Sequence, residues 1–230
     1  MNFSEFSTNY RQIINKNIKI SGESLEYFSE YKVKVLDKFF KRNGLSKDIK
    51  LLDLGCGTGE LLHYIFHYFP KVNAYGLDPC PEFIKRCKQK YENKESHFSI
   101  SRGENMPFEN EYFDAVLLSC VFHHISPDSR VAVVENILRV LKRGGYLFIF
   151  EHNPLNPLTR RTVRSCVFDS DADLITKKQC LLFLKKQGFI ISETRYIVFF
   201  PRCLKIFRRF EDNLGKLFLG AQYFVAARKR

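Results

Sequence analysis

The segment Asp53-Leu54-Gly55-Cys56-Gly57-Thr58-Gly59 decides the fold of this chain. A short apolar run over residues 49–54 leads into the glycines and predicts a buried strand, and a helical pattern follows over residues 58–69. A loop between a strand and a helix lies at the carboxyl edge of an open α/β sheet, where such folds bind ligands. The glycines let a ligand approach the backbone closely, and the start of the helix offers unpaired N–H groups.

The residues around this loop narrow the ligand to a nucleoside. Asp78 ends the next predicted strand, where a carboxylate can accept hydrogen bonds from the hydroxyls of a ribose. The third glycine comes one residue too early for a dinucleotide fingerprint, and Glu60 stands in the sixth position, where its charge would repel a pyrophosphate. No Gly-Lys-Ser/Thr follows, so a P-loop is excluded. The pattern therefore predicts a site for a nucleoside without phosphates.

Strand and helix patterns alternate beyond the loop, which predicts βαβ units on a parallel sheet. The predicted strands cover residues 49–54, 73–78, 97–101, 113–119, 145–151, 189–200 and 221–228. The predicted helices cover residues 25–42, 58–69, 81–91, 128–142, 176–187 and 202–218. The last two strands are joined by less than a full crossover motif, so we expect an antiparallel edge.

The composition is that of a folded protein with reduced thiols. The chain has 230 residues, 45% hydrophobic and 27% charged, which excludes a collagen, a coiled coil and a disulfide scaffold. No stretch approaches the roughly 20 apolar residues of a membrane span. The first residues lack the pattern of a secretory signal, and the seven cysteines follow no regular spacing. We therefore expect a cytoplasmic protein.

No linker or internal repeat divides the chain, so we expect a single domain over residues 1–230. Within it we distinguish a helical cap over residues 1–47, a cofactor-binding core over residues 48–151, and an acceptor-side segment with the last strands over residues 152–230. The net charge of +12 comes largely from the C-terminal third. Such a basic balance favours nucleic acid, anionic lipid or an acidic substrate as a partner.

Four motifs in register resemble those of class I S-adenosylmethionine-dependent methyltransferases, especially the small-molecule type similar to ubiquinone/menaquinone biosynthesis enzymes. They are the glycine loop at 53–59, Asp78, the segment Gly103-Glu104-Asn105-Met106-Pro107-Phe108, and Phe113-Asp114-Ala115-Val116 leading to Ser119. The resemblance implies an α/β, Rossmann-like, seven-stranded and mostly parallel sheet with helices on both faces. Numbered along the chain, its strands would lie in the order 3-2-1-4-5-7-6, with an antiparallel last strand and an N-terminal helical cap.

The resemblance also implies S-adenosylmethionine as the cofactor and a set of residues that would bind it. Asp78 would bind the ribose, Glu104 and Asn105 would flank the adenine, and Ser119 would lie beside the methionine moiety. The family commonly has alanine after the acidic residue, where this chain has Asn105. The complete set is Asp53, Gly55, Cys56, Gly57, Gly59, Asp78, Pro79, Glu104, Asn105 and Ser119.

Three histidines follow predicted strands at the same edge of the sheet, and we treat His123, His124 and His152 as candidate bases or acceptor contacts. Glu151 or His152 could deprotonate an acceptor, or either could form a structural hydrogen bond. Together with Cys120, the adjacent histidines also suggest a metal motif. Adjacent side chains should diverge, however, and no further ligand is evident, so we predict no metal site.

Methyl transfer is an in-line displacement that depends mainly on alignment, with a base needed only where the acceptor must lose a proton. Aromatic and basic residues over 1–42, 152–172 and 200–220 favour a small, apolar or anionic acceptor. The aromatic residues available there are Tyr10, Tyr27, Phe28, Tyr31, Phe199, Phe200 and Phe207. Nucleic acid is disfavoured, because the Asn-Pro-Pro-Tyr/Phe motif of amino-methylating enzymes is absent after Ser119. A non-catalytic S-adenosylmethionine-binding module and a methyltransferase acting on a macromolecule are the alternatives.

Residues 201–219 have the pattern of a basic amphipathic helix. One predicted face is apolar and the other carries Arg202, Lys205, Arg208, Arg209 and Lys216. Such a helix could pack on the sheet edge, or it could cover the acceptor pocket and contact an anionic membrane surface weakly. The second interpretation predicts a protein that is peripheral to a membrane.

Overall fold

Within residues 9–94 and 96–230, which this computed structural model describes, seven strands form one sheet in the order β3-β2-β1-β4-β5-β7-β6. The strands are β1 (Lys50–Leu54), β2 (Asn73–Asp78), β3 (Ser96–Ile100), β4 (Phe113–Ser119), β5 (Leu141–His152), β6 (Ile190–Ile197) and β7 (Gln222–Arg228). Strands β1 to β5 pair in parallel, and β7 runs antiparallel to both of its neighbours. The predicted fold, strand order and antiparallel last strand are confirmed.

Helices cover both faces of this sheet, as predicted. They are α1 (Tyr10–Asn17), α2 (Leu25–Arg42), α3 (Glu60–Tyr68), α4 (Pro81–Lys90), α5 (Pro127–Val140), α6 (Pro157–Ser165), α7 (Lys177–Lys186) and α8 (Glu211–Leu214). In β1, Leu51 joins one buried cluster with Phe39 of α2, whereas Leu52 joins the other with Val134 of α5. A strand buried on both faces reads as a continuous apolar run, which is the pattern seen at residues 49–54.

Helices α1 and α2 lie at the N-terminal end, where the sequence predicts a helical cap. Residues 1–8 of that predicted cap lie outside the described part of the chain. Helices α1 and α6 are absent from the predicted element list, since both are short and neither has a long apolar stripe. Among the described residues, no helix combines the length and the apolar character needed to cross a bilayer.

The boundary predicted between α5 and β5 is wrong. The helix ends at Val140 instead of residue 142, and β5 begins at Leu141. Leu141 is fully buried and pairs with Phe113 of β4, and a bulge then shifts the register of the pairing. The sheet therefore recruits Leu141, which helical periodicity alone assigns to α5.

The continuous amphipathic helix predicted over residues 202–218 is also wrong. The chain forms a 3₁₀ helix over Arg202–Phe210 with a kink at Leu204, followed by the single turn of α8. The buried carboxylate of Glu211 accepts hydrogen bonds from the N–H groups of Phe199 and Phe200, which ties the segment back to the end of β6. None of the residues over Arg202–Phe210 is buried, so this segment does not pack on the sheet edge.

Candidate active site

A cavity of about 260 Å³ lies at the carboxyl ends of β1, β2 and β4, where parallel sheets bind ligands. Residues of α1, α2 and α6 close it on the side away from the sheet. The predicted cofactor residues on its wall are Asp53, Gly55, Cys56, Gly57, Asp78, Pro79 and Ser119. The fold thus brings together most of the set that the sequence predicts.

The glycine loop requires glycine for two different reasons. Gly55 has a φ of 79°, and a Cβ atom added there would collide with the side chain of Val121. Gly57 has a φ of 53°, and a Cβ atom added there would meet no protein atom within 4 Å. Open space beside a wall residue of the cavity is what a loop that cradles a ligand must offer.

The carboxylate of Asp78 is held by the backbone on both sides. Its Oδ2 accepts a hydrogen bond from the N–H of Gly57 at 2.9 Å, and its Oδ1 accepts one from the N–H of Cys80 at 2.8 Å. Burial raises the pKa of this carboxyl above its ordinary value, against the effect of these two hydrogen bonds. Each oxygen keeps a further lone pair, so the carboxylate can also accept hydrogen bonds from two hydroxyl groups.

Three predicted cofactor residues do not line the cavity. Glu104 and Asn105 are exposed at the surface of the loop after β3. Gly59 lies just before α3, and its carbonyl oxygen accepts a 2.6 Å hydrogen bond from the hydroxyl of Tyr91. Gly59 therefore anchors the start of the helix against Tyr91 instead of contacting the open space.

Opposite charges meet on the cavity wall. Burial, with Asp78 nearby, raises the pKa of the Asp53 carboxyl to about 7. Lys32 of α2 extends its ammonium to the Oγ of Ser119 at 2.9 Å and to the Sγ of Cys120 at 3.2 Å. Lys32 is not among the site residues that the sequence predicts. Its only local signal is a lysine on the side of α2 that carries the apolar residues Phe28, Leu36 and Phe39.

Cys120 follows β4 with a φ of 56°, a conformation that non-glycine residues rarely adopt. Burial would raise the pKa of its thiol, but the positive charge of Lys32 and the proximity of His152 lower it to about 7. The side-chain amide of Gln222 in β7 also donates to its sulfur at 3.5 Å. The cavity therefore contains a thiol that ionises near neutral pH.

The three predicted histidines occupy different positions. His124 and His152 line the cavity, whereas His123 is 2% exposed and lies behind its wall. The Nδ1 of His123 is 2.6 Å from the Oε2 of Glu151, whose Oε1 accepts a 2.9 Å hydrogen bond from the N–H of Phe122. Burial opposes ionisation of both groups, yet their attraction raises the pKa of His123 to about 10 and lowers that of Glu151 to about 2.

Asp169, which is not among the site residues that the sequence predicts, joins this group from the 3₁₀ helix over Val167–Asp169. Its Oδ1 is 3.4 Å from the Nε2 of His123 and 3.4 Å from the Nε2 of His124. The two imidazole rings are only 4.1 Å apart. The expectation that these adjacent side chains diverge is therefore wrong, because both rings turn toward one carboxylate from a distant part of the chain.

A second cavity of about 200 Å³ adjoins the first. His152, Phe28 and Gln222 border both cavities. The apolar side chains around the second cavity are Ile18, Ile20, Tyr27, Phe28, Leu158, Val198, Phe199, Phe200 and Pro201. Of the other aromatic residues predicted for the acceptor side, Tyr10 lines the first cavity and Tyr31 donates a 2.7 Å hydrogen bond to Glu211.

Comparison with known proteins agrees with this architecture. Residues 52–149 match the family described as the methyltransferase domain. Over this segment the chain is similar to the class I S-adenosylmethionine-dependent methyltransferases. The match confirms the predicted resemblance to this family, whose members use S-adenosylmethionine as their cofactor.

Two curated relatives of this chain have names that refer to small molecules. Thiol S-methyltransferase TMT1B of Rattus norvegicus is 33% identical over 139 residues, which cover 58% of this chain and 52% of the relative. Demethylmenaquinone methyltransferase of Thermotoga maritima is 32% identical over 107 residues, which cover 46% of this chain and 45% of the relative. The chain thus spans about half the length of these relatives.

The fold also matches solved methyltransferase structures over nearly the whole chain. One from Thermotoga maritima, described as a SAM-dependent methyltransferase and possible histamine N-methyltransferase, superposes with a TM-score of 0.69. The match covers 99% of this chain and 98% of that one at 17% sequence identity. At this identity, the likeness concerns the fold alone.

Proposed function

We propose that this protein transfers the methyl group of S-adenosylmethionine to a small, largely apolar acceptor held in the second cavity. The observation that carries the proposal is the junction of the two cavities at His152, Phe28 and Gln222. A cofactor in the first cavity and an acceptor in the second would meet there.

The residues of the first cavity fit the cofactor piece by piece. Gly57 leaves open space for a ligand along the loop, and the Asp78 carboxylate can accept hydrogen bonds from both ribose hydroxyls. The remaining end of the cofactor is an amino acid, with one ammonium and one carboxylate group. Asp53 and Lys32 supply the two opposite charges that would hold this end. Once bound, the cofactor supplies an activated methyl group on a sulfonium.

The chain itself would contribute alignment and exclusion of water. Holding both reactants in an in-line arrangement can supply about 7–11 kcal/mol of the barrier reduction. The apolar wall of the second cavity would keep water from the sulfonium. His152 lies at the junction, where it can accept a proton from an acceptor that must lose one.

The character of the second cavity supports an apolar acceptor. Its charged wall residue, Glu23, is already paired with Arg208 at 2.7 Å, so it offers no free charge to a ligand. The names of the two curated relatives, a thiol methyltransferase and a demethylmenaquinone methyltransferase, also refer to small-molecule acceptors. We infer that thiols, phenols and quinols with apolar bodies are the first compounds to assay.

The proposal is tested by incubating the protein with methyl-labelled S-adenosylmethionine and a panel of such compounds. A fractionated cell extract serves as an unbiased source of acceptors. We expect label to enter a small organic molecule. Entry into protein or RNA would favour the macromolecular alternative. Saturable S-adenosylmethionine binding without any turnover would favour a non-catalytic binding module.

A further inference from the structure

The structure holds a second group of ligating side chains to which the proposed function assigns no part of the methyl donor. We propose that His123, His124 and Asp169 form a binding site for a divalent transition-metal ion of the Zn²⁺ type on the wall of the first cavity. The site itself is independent of the proposed function, and only the role of the ion rests on it.

The separations between the donor atoms suit one small ion. Oδ1 of Asp169 is 3.4 Å from the Nε2 of His123 and 3.4 Å from the Nε2 of His124. All three donor atoms lie within 4.8 Å of one another. A tetrahedral ion with bonds of about 2.0–2.1 Å places its ligand atoms about 3.3–3.4 Å apart. Two of the three separations already have this value.

His123 has the orientation of a metal ligand. Its Nδ1 is held by Glu151 at 2.6 Å, and its Nε2 is buried without a hydrogen bond, next to Asp169. Metal-binding histidines characteristically donate their other ring N–H to a carboxylate, which fixes the tautomer and aims the free nitrogen at the ion. A buried ring nitrogen without a hydrogen bond is costly, and coordination would satisfy it.

The segment that carries Asp169 is fixed against the histidine pair. The N–H of Asp173 donates to the carbonyl oxygen of His123 at 3.0 Å. Arg130 of α5 pairs with the carboxylate of Asp173 at 3.0 Å and donates a hydrogen bond to the backbone carbonyl oxygen of Asp173 at 3.0 Å. These contacts hold the ligands from two distant parts of the chain together before any ion binds.

The donor set selects the type of ion. Two imidazoles and one carboxylate suit Zn²⁺, Co²⁺, Ni²⁺ or Fe²⁺, whereas Mg²⁺ and Ca²⁺ prefer oxygen ligands alone. Three protein ligands leave at least one position open, as in catalytic zinc sites. Because His124 and Asp169 line the first cavity, this position would face it. There the ion could bind an oxygen or nitrogen atom of the ligand that occupies the first cavity.

The alternative account is purely structural. A protonated His123 between the carboxylates of Glu151 and Asp169 would form a buried ion network that needs no metal. The two accounts differ in what they require of His124, which is only partly buried. Coordination needs its Nε2, whereas the structural network does not.

The test measures metal binding directly on the full chain after treatment with a chelator. Equilibrium dialysis against Zn²⁺ should give one bound equivalent, and Co²⁺ should give the visible absorption bands of a coordinated ion. His124→Gln and Asp169→Asn should each lower the Zn²⁺ affinity at least tenfold. His67→Gln, at an exposed position of α3, is the matched control and should leave the affinity unchanged. Cys120→Ser should also retain the site, which excludes thiol coordination.

Absence of a stoichiometric ion, or equal affinity in wild type and His124→Gln, would overturn the proposal. The His124→Gln variant should fold, because this side chain is 23% exposed. Titration of the same samples with S-adenosylmethionine separates the two proposals. Cofactor binding by the metal-free protein would leave the proposed function standing even if no metal binds.

Discussion

The carboxylate of Asp78 accepts hydrogen bonds from the glycine loop, at Gly57, and from the start of α4, at Cys80. It is also the group that we propose to bind the ribose. Asp78→Asn keeps the shape of the side chain but removes its charge and one acceptor. Hydrogen bonds to a charged group are worth about 1.5–3 kcal/mol, so we expect S-adenosylmethionine to bind about ten- to a hundredfold more weakly. Isothermal titration calorimetry measures this, with the exposed Asp128→Asn of α5 as the control. Equal affinity in wild type and Asp78→Asn would remove Asp78 from the site.

Lys32 should recognise only the amino-acid end of the cofactor. Lys32→Met keeps the buried length of the side chain but loses the ammonium, so we expect S-adenosylmethionine to bind at least tenfold more weakly. 5′-Methylthioadenosine lacks the amino acid and should bind wild type and variant equally. Lys34→Met, exposed on the same helix, is the control. A parallel loss of affinity for both ligands would show that Lys32 acts on the shape of the cavity instead.

Asp53 is a buried carboxyl whose ionisation destabilises the ligand-free protein. Its pKa of about 7 in the folded state exceeds the ordinary value of 3.8. The stability it contributes is fully present below pH 3.8 and is lost as the pH rises through about 7. Asp53→Asn should therefore gain stability relative to wild type between these values, by up to about 1.4 kcal/mol per pH unit.

Unfolding in urea from pH 5 to pH 8 measures this difference. We expect the difference in the free energy of unfolding between Asp53→Asn and wild type to increase up to about pH 7 and then to level off. Asp48→Asn, at an exposed position, should show no such trend. A gap that stays constant over this range would contradict the raised pKa.

At the scale of elements, the segment over residues 201–219 differs most from its predicted form, and the difference redefines its proposed role. Gly215 contacts the sheet edge, where its carbonyl oxygen accepts a 2.8 Å hydrogen bond from the N–H of Tyr196 in β6. Most of the large apolar side chains of the segment are nevertheless exposed: Leu204, Ile206, Phe207, Phe210, Leu217, Phe218 and Leu219. Of its basic residues, Arg208 is held in the fold, because it pairs with Glu23 and donates to the carbonyl oxygen of Phe200. Within the 3₁₀ helix over Arg202–Phe210, the basic residues left for an external anionic surface are Arg202, Lys205 and Arg209.

We predict that this segment binds anionic membranes weakly. Each basic residue near such a surface contributes about 1 kcal/mol, and the contribution falls as salt rises. The protein should sediment with anionic liposomes at low salt and be released at higher salt. Replacement of Arg202, Lys205 and Arg209 by Gln should abolish sedimentation. The same change at Lys178, Lys185 and Lys186, which are exposed on α7, should reduce sedimentation much less. If both triple variants sediment alike, the effect comes from net charge alone.

Prediction from sequence succeeded where the signal is local. The alternation of short apolar runs with amphipathic stretches predicts the sheet, and the glycine loop with Asp78 predicts one side of the cavity. It failed where tertiary contacts override a local pattern. Helical periodicity extends through Leu141, but pairing with Phe113 draws this residue into β5. The pattern after Pro201 is helical, but the buried Glu211 anchors the segment to the end of β6.

At the scale of the whole molecule, the predicted side of the site comes from the ends of the first strands, and the missed side comes from distant segments. Lys32 reaches the cavity from α2, Asp169 from the segment after α6, and Gln222 from β7. Nothing in the neighbouring sequence identifies these residues as part of the site, because they reach the cavity only through the tertiary fold. The antiparallel β7 beside β5 brings Gln222 to the same edge as Ser119 and His152.

The central claim is that cofactor and acceptor occupy two adjoining cavities that meet at His152. A crystal structure with S-adenosylhomocysteine, the demethylated product, tests it most directly. We predict that the ribose hydroxyls lie on Asp78, that the amino-acid end lies between Asp53 and Lys32, and that the sulfur faces the second cavity. A ligand bound elsewhere, or one whose sulfur faces away from His152, would contradict the account.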